Sequence, residues 1–422
     1  MKVAIVGLGY VGLPLALRFA QAGVSVLGLD IDEAKCASLN AGRSYIGHVS
    51  SAAIAEVRAA GRLEATTDFT QAATVDAILI CVPTPLNKKH EPDLGYVLGT
   101  GRSLAPHLRA GQLVVLESTT YPGTTDTELR TVLEHGSGLV AGRDFYLAYS
   151  PEREDPGRDP DEARRIPKVV GGLTAECRAR AVACYAPVVE RVVPVSSCRA
   201  AEATKLLENI FRSVNIALVN ELKIVYSAMG IDVWEVIEAA RTKPFGFMPF
   251  YPGPGLGGHC IPIDPFYLAW KAREYGQPTK FIELAGEINA AMPAYVADCV
   301  EKTLAARGLP MSGARILLLG LAYKADVDDD RESPAYALMH LFEERGATVA
   351  YHDPFVPNIR LTRDHLQYVG RSSVALTPAG HDLAVLVTAH TEFHQFDFSQ
   401  WTIPLVDTRN CVVRRPAAYV RT

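Results

Sequence analysis

The stretch Lys2-Val-Ala-Ile-Val-Gly7-Leu-Gly9-Tyr10-Val11-Gly12 commits the N-terminal part of the chain to very few folds. Residues 3–6 form a short β-branched run, residues 13–22 carry helical apolar spacing, and residues 24–29 are apolar again and close on Asp30. Strand, glycine turn, helix and strand in that order make a βαβ unit. Gly7 permits the tight turn, Gly9 lets backbone approach a pyrophosphate, and Gly12 lets helix and strand pack closely. The helix N-terminus favours the phosphate charge. Tyr10 and Val11 stand between the glycines, on the path of a bound dinucleotide. Asp30, 18 residues after Gly12, is placed to accept hydrogen bonds from the adenosine ribose. A carboxylate there repels a 2′-phosphate, so the expected cofactor is NAD and not NADP. Lys35 either reaches the same ribose or is a solvated helix lysine.

A chain of 422 residues is too long for one core. Further apolar runs at 77–82, 113–116 and 145–148 alternate with helical stretches at 97–108 and 125–135, which predicts a parallel, doubly wound sheet. From about 200 to 229 the pattern becomes one long helix, with Leu206, Ile210, Val214, Ala217 and Leu218 at helical spacing. It links domains or builds a dimer interface. Another helix is expected at about 280–306. A strand and turn restart at 314–320, followed by strands at 347–351, 383–388 and 404–407. This second turn, Gly320-Leu-Ala-Tyr-Lys324, lacks the second and third fingerprint glycines, so it suits a nucleotide better than a dinucleotide. The expected fold is α/β, with two Rossmann-like doubly wound domains joined by a long central helix. The bounds are 1–198 for the cofactor domain, 199–308 for a central helical domain, and 309–422 for the C-terminal domain.

Bulk properties exclude more than they select. Hydrophobic residues make up 48% and charged residues 21%, with net charge −5 and no long basic block, which argues against nucleic acid as a partner. Eight cysteines at 36, 81, 177, 184, 198, 260, 299 and 411 show neither a CxxC nor a zinc spacing, so no metal and no disulfide framework are expected. No apolar run reaches the roughly 18 residues of a membrane span, and the N-terminal run is too short for a signal peptide core. The expectation is a cytoplasmic protein with no membrane partner.

Five segments carry chemistry. In Gly253-Pro-Gly-Leu-Gly257-Gly-His-Cys260-Ile-Pro-Ile-Asp264, a thiol sits in a glycine loop with a carboxylate four residues on. Cys260 is a candidate nucleophile or a structural buried thiol; Asp264 orients a proton or caps the next helix. Lys205 and Asn209 lie one helical turn apart and face the same way. They stabilise an oxyanion and orient water, or are a solvated lysine and a packing asparagine. Thr84, Thr119 and Glu152 each follow an apolar strand, at the edge where doubly wound sheets bind ligands. Turn chemistry or solvation explains them as well.

Taken in order, seven segments resemble the UDP-glucose/GDP-mannose dehydrogenase family across essentially the whole chain. They are Gly7-x-Gly9-x-x-Gly12, Cys81-Val-Pro-Thr84-Pro, Ser118-Thr119, Pro151-Glu152, Lys205-x-x-x-Asn209, Gly257-Gly-x-Cys260-x-x-x-Asp264, and Gly320-x-x-x-Lys324 with Arg331-Glu-Ser. The resemblance implies a four-electron oxidation of a nucleotide-sugar 6-hydroxyl to a carboxylate with two NAD. Cys260 would carry a thiohemiacetal and then a thioester, which water near Glu152, Thr119 and Asp264 hydrolyses. Lys205 and Asn209 would hold the developing oxyanion. It further implies that the C-terminal domain binds the UDP-sugar, with Lys324 and Arg409 as substrate-contacting cations and Gly257 in the substrate loop. Arg331 would face the NAD cleft, and a homodimer would form through the long helix. One departure bears on substrate: where UDP-glucose members carry lysine before the loop aspartate, this chain has Ile263. The run 243–265 is similar to the UDP-N-acetylhexosamine members, which makes UDP-N-acetylglucosamine the expected substrate. From other classes, a β-hydroxyacid dehydrogenase needs no thiol, and a non-catalytic sensor needs none of Cys260, Lys205 and Asp264.

Overall fold

The computed structural model describes residues 1–422 except 48, 88–90, 154–164, 259–260 and 362–364. These residues divide into two compact units. One comprises Met1–Glu208 with Phe266–Pro278, the other Asn209–Pro265 with Thr279–Thr422.

The first unit is built on eight strands: β1 (Lys2–Val6), β2 (Ser25–Leu29), β3 (Leu63–Thr66), β4 (Ala77–Ile80), β5 (Leu113–Leu116), β6 (Tyr146–Tyr149), β7 (Lys168–Gly172) and β8 (Val192–Val195). Their order in the sheet is β3-β2-β1-β4-β5-β6-β7-β8. The first six strands thus run 3-2-1-4-5-6, the dinucleotide-binding order, with the switch point between β1 and β4. Period-two alternation along β1 feeds two cores. Val3 and Ile5 pack with Leu13, Ala16 and Phe19 of the helix Gly12–Gln21, while Ala4 and Val6 pack on the opposite face with Leu104, Leu129 and Leu133. Strands β4 and β5 are buried at every position, which is why they read as unbroken apolar runs.

The sheet departs from the all-parallel expectation at one place. β7 pairs antiparallel to β6, with Ala148 opposite Gly172 and Tyr149 opposite Gly171, and then parallel to β8. A β-carbon on Gly171 would lie 2.1 Å from the Ser197 carbonyl oxygen, and one on Gly172 would lie 2.3 Å from the Arg178 nitrogen. The strand ends in glycine because helix starts press on its backbone.

The long helix spans Cys198–Met229, and its buried side mixes apolar residues (Ala201, Leu206, Ala217, Val219) with polar ones. Glu202, Lys205, Asn209, Ser213, Asn220 and Lys223 are buried, whereas Leu207, Phe211, Leu218, Val225 and Met229 are exposed, Leu218 by 53%. Helical spacing marks this element correctly, but a second set of apolar residues is left exposed.

In the second unit the helices Val233–Arg241 and Lys280–Ala305 accompany the later turns of the long helix. Asn220 donates to Asn289 Oδ1 (2.9 Å), Asn289 donates to the Ser213 carbonyl (3.1 Å), and Asn220 Oδ1 accepts from the Gly253 amide (3.0 Å). This buried asparagine pair ties two helices to the start of the glycine loop. The unit's sheet is all parallel, in the order β10-β9-β11-β12-β13, with β9 (Arg315–Leu319), β10 (Thr348–His352), β11 (Leu383–Leu386), β12 (Leu405–Asp407) and β13 (Tyr419–Arg421). Ile316 and Leu318 pack with Met339 and Phe342 on one face; Leu317 and Leu319 pack with Phe393, Phe398 and Trp401 on the other. Two doubly wound sheets are therefore present, as expected.

The second unit repeats the strand-end device of the first. Gly7 and Gly320 have φ of +89° and +91°, and each donates its amide to the carbonyl at the end of the neighbouring strand, Leu29 and His352, both at 2.8 Å. Asp30 then accepts from the Leu8 amide (2.7 Å), as Asp353 does from Leu321 (2.6 Å). The difference lies beyond the acid: His390, wholly buried, donates from Nε2 to Asp353 at 3.0 Å and accepts the Asp326 amide at Nδ1.

Candidate active site

In the first unit the ligand edge lies where strand order reverses. A β-carbon on Gly7 would come within 2.8 Å of the Cys81 carbonyl oxygen, and one on Gly12 within 1.8 Å of the Gly7 carbonyl oxygen. The chain's own backbone demands both glycines. At Gly9 a β-carbon would meet nothing within 4 Å. Glycine there leaves open space above the helix start. Val11, at the N-cap of helix Gly12–Gln21, offers no side-chain acceptor to the first amides, which are left for a phosphate. Tyr10 beside it is partly exposed.

Asp30 is 7% exposed, and its carboxylate is fixed by the Leu8 amide and, at 3.0 Å, by the Asp32 amide. Lys35 Nζ lies 3.7 Å from it, so this lysine stands on the acid and not away in solvent. Tyr45 donates to the Leu8 carbonyl at 2.5 Å, bracing the same turn. An open glycine, an uncapped helix start and a fixed acid fit a dinucleotide with a free ribose 2′-hydroxyl. Thr84 follows β4 and is buried, with its carbonyl accepting the Tyr267 hydroxyl. Ser118 after β5 donates to the Val82 carbonyl (2.7 Å), while Thr119 beside it stays partly exposed, its hydroxyl without a partner among the described residues.

The next two strand ends hold a buried charge cluster. Lys168 Nζ sits 2.5 Å from Glu117 Oε2 and 3.7 Å from Glu152 Oε2. The Tyr185 hydroxyl donates to the other oxygen of Glu117. Burial alone would lower the Lys168 pKa, but the Glu117 and Glu152 carboxylates raise it, so the ammonium is retained. Lys205, buried on the long helix, donates to the main-chain carbonyl of Glu152. Arg153 adds a bidentate pair with Glu208 (2.6 and 3.2 Å), holding this segment to the same helix. One turn earlier Glu202 accepts from the Gly123 amide (2.7 Å) and from the amide and hydroxyl of Thr125 (2.9 and 2.7 Å). Burial outweighs those donors and pushes its pKa up to about 7.

In the second unit, Asp264 opens the helix Asp264–Glu274 and is 2% exposed. Asn209 donates to its Oδ2 at 2.5 Å. Cys260 itself lies outside the described residues. The loop leading to it is pressed against the C-terminal sheet's edge. Gly258, at φ +89°, would place a β-carbon 2.8 Å from the Tyr323 ring, and Gly257 would place one 3.1 Å from Tyr323 and Pro334. Glycine at 257 is thus accounted for by packing on its β-carbon side. Gly253 is covered by the Arg409 guanidinium, 2.3 Å from a β-carbon there. Arg409 donates Nε–H to the Val387 carbonyl (2.9 Å) and pairs with no carboxylate among the described residues; burial pulls its pKa down to about 10. Lys324 lies partly buried in the turn after β9. Arg331 forms a bidentate pair with Asp329 (2.8 and 2.6 Å).

Of the residues singled out by spacing, the structure buries and fixes Asp30, Lys205, Asn209 and Asp264. Spacing misses Lys168, Glu117 as an ionic partner, Tyr185 and Glu202. Most of their partners are 51 to 79 residues away, and no local pattern announces them.

Three consecutive segments match the UDP-glucose/GDP-mannose dehydrogenase family: its NAD binding domain at residues 1–189, central domain at 199–291 and UDP binding domain at 317–414. A UDP-N-acetyl-D-glucosamine 6-dehydrogenase of Pseudomonas aeruginosa is 37% identical over 93% of this chain and 91% of its own. A UDP-N-acetyl-D-mannosamine dehydrogenase of Pyrococcus horikoshii is 35% identical over 100% and 98%. The solved UDP-D-ManNAc dehydrogenase from P. horikoshii superposes with a TM-score of 0.89 at 34% identity, covering 100% of this chain and 98% of that one. Likeness that runs through every segment, in sequence and in backbone, places the chain in the UDP-glucose/GDP-mannose dehydrogenase family, as an NAD-dependent oxidoreductase of UDP-sugars.

Proposed function

We propose that the chain oxidises the C6 hydroxyl of a UDP-N-acetylhexosamine, UDP-N-acetylglucosamine first among them, to the carboxylate at the cost of two NAD. Bound NAD supplies the hydride acceptor for both oxidations. The remaining chemistry belongs to side chains of this protein. The Cys260 sulfur adds to C6 at the aldehyde level, forming a C–S bond and a tetrahedral carbon fit for the second oxidation. Water then cleaves the C–S bond of the resulting thioester, giving the acid and restoring the thiol. Lys205 and Asn209 steady the oxygen on C6; Glu152, Thr119 and Asp264 orient the water and take its proton. Lys324 and Arg409 hold the diphosphate.

The observation that carries this reading is the buried Asn209–Asp264 hydrogen bond of 2.5 Å at the exit of the Cys260 loop. A solvated helix face and a simple helix cap would not bring these two side chains together. The unpaired, desolvated Arg409 supports an anionic substrate group, because a buried cation without a counter-ion is costly. Ile263 and the run 243–265 favour an N-acetylhexosamine, and relatives named for both UDP-N-acetylglucosamine and UDP-N-acetylmannosamine agree with that class. We further infer a homodimer through the exposed apolar side of the long helix, working in the cytoplasm and supplying surface-polysaccharide precursors.

The test is stoichiometry with a panel of UDP- and GDP-sugars. Two NADH per UDP-N-acetylhexosamine, with a uronic acid product, are expected. One NADH per sugar would overturn the thioester route, and UDP-glucose as the preferred substrate would overturn the assignment. Cys260→Ser is expected to lose the second oxidation.

A further inference from the structure

We propose that Lys168 is a positioning residue that aims the Glu152 carboxylate at the water which hydrolyses the thioester. The proposal rests on the thioester reading above and deepens it.

Lys168 heads β7, which runs antiparallel to β6 and parallel to β8, and only 6% of it is exposed. Its ammonium has unequal arms. The short one, 2.5 Å, reaches Glu117, a carboxylate buried to 1% exposure whose second oxygen accepts the Tyr185 hydroxyl. Glu117 thus anchors the lysine. The long arm, 3.7 Å, reaches Glu152, whose side chain is 13% exposed at the strand end. The Lys168 ammonium also lies 5.2 Å from the centre of the Tyr185 ring, which fixes it from a third side. Glu152 is held twice, its carboxylate by Lys168 and its main-chain carbonyl by Lys205.

Stability does not account for this arrangement. A buried ion pair repays its desolvation poorly, and well-packed apolar side chains of similar size commonly serve a fold as well or better. A lysine sandwiched between one sealed carboxylate and one that reaches solvent instead directs the second. A side chain set in this way needs no reorganisation when the water's proton moves.

The experiment uses full-length Lys168→Met, Lys168→Arg, Glu152→Gln and the Lys168→Met/Glu152→Gln double variant. Each is mixed with NAD and UDP-N-acetylglucosamine and followed by stopped-flow NADH absorbance and intact mass after acid quench. Lys168→Met is expected to release two NADH per site in a burst and accumulate enzyme bearing a uronoyl adduct. Its kcat should fall on the order of a hundredfold, with KM within about threefold, since general-base steps are typically worth 10²–10⁴. Lys168→Arg keeps the cation and recovers most of the rate. The double variant is no slower than Glu152→Gln alone, because Lys168 acts through Glu152. Wild-type hydrolysis in Lys168→Met, a rate loss without adduct, or losses that multiply in the double variant would each overturn the proposal. Should Lys168→Met fail to fold, Lys168→Arg decides: a rate as low as that of Glu152→Gln, without adduct, overturns it. If wild-type enzyme yields one NADH per sugar, the thioester reading itself fails, an outcome separable from all of these.

Discussion

We propose that Asp30 sets cofactor choice. Two backbone amides hold its carboxylate at the end of β2, which is the fixed acceptor the proposed ribose contact would need. Asp30→Asn keeps the shape and removes the charge. Hydrogen bonds to charged groups are worth about 1.5–3 kcal/mol, so KM for NAD should rise roughly ten- to a hundredfold, and discrimination against NADP should narrow. Steady-state kinetics with both cofactors check this; an unchanged NAD/NADP ratio would remove Asp30 from cofactor selection. Lys35, 3.7 Å away, shares the site but cannot replace an acceptor.

Among the elements, the long helix carries most of what sequence could not convey. Apolar spacing revealed a helix, and the Lys205–Asn209 pair marked a buried polar stretch of it. That polar residues are buried on it while Leu207, Phe211 and Leu218 stay exposed follows from partners scattered far along the chain. Glu202 meets a turn 77 residues earlier, and Asn220 meets Asn289. β7 escaped for a related reason: it begins with a lysine whose partner is 51 residues off and ends in glycines required by neighbouring backbone. Strands β4 and β5 and the Gly7–Gly12 turn were legible because local rules alone determine them.

Glu202 gives this helix a pH signature. Its folded pKa, about 7, lies above the ordinary glutamate value of 4.5. Below pH 4.5 both folded and unfolded states hold the proton and the group costs nothing. Between 4.5 and 7 the unfolded chain ionises first, so stability falls as pH rises, by about 3 kcal/mol in all, and stays lower above 7. Denaturant melts across that window should show the slope in the wild type and lose it in Glu202→Gln. A wild-type curve as flat as the variant's would mean the three donors already hold Glu202 ionised.

For the whole molecule, two doubly wound units were legible as repeated strand-and-turn patterns, and the family match covers both. The outward apolar side of the long helix is the feature a second copy would cover. Leu218→Asp with Val225→Asp should convert a dimer to a monomer by sedimentation equilibrium, without loss of fold by circular dichroism. Two charges brought into a desolvated interface cost more than such contacts return. A wild-type protein that sediments as a monomer would refute the pairing.

The sealed acid of the C-terminal unit has a different import. A chain that uses one architecture twice must keep its two nucleotides from trading places. In the first unit the acid beyond the glycine turn stands ready for a ribose; in the second, His390 takes that role permanently from inside. Among the described residues, only the first unit's acid lacks a histidine cap of this kind. If the second unit holds the UDP-sugar, the capped Asp353 is one feature by which the two units would tell their nucleotides apart.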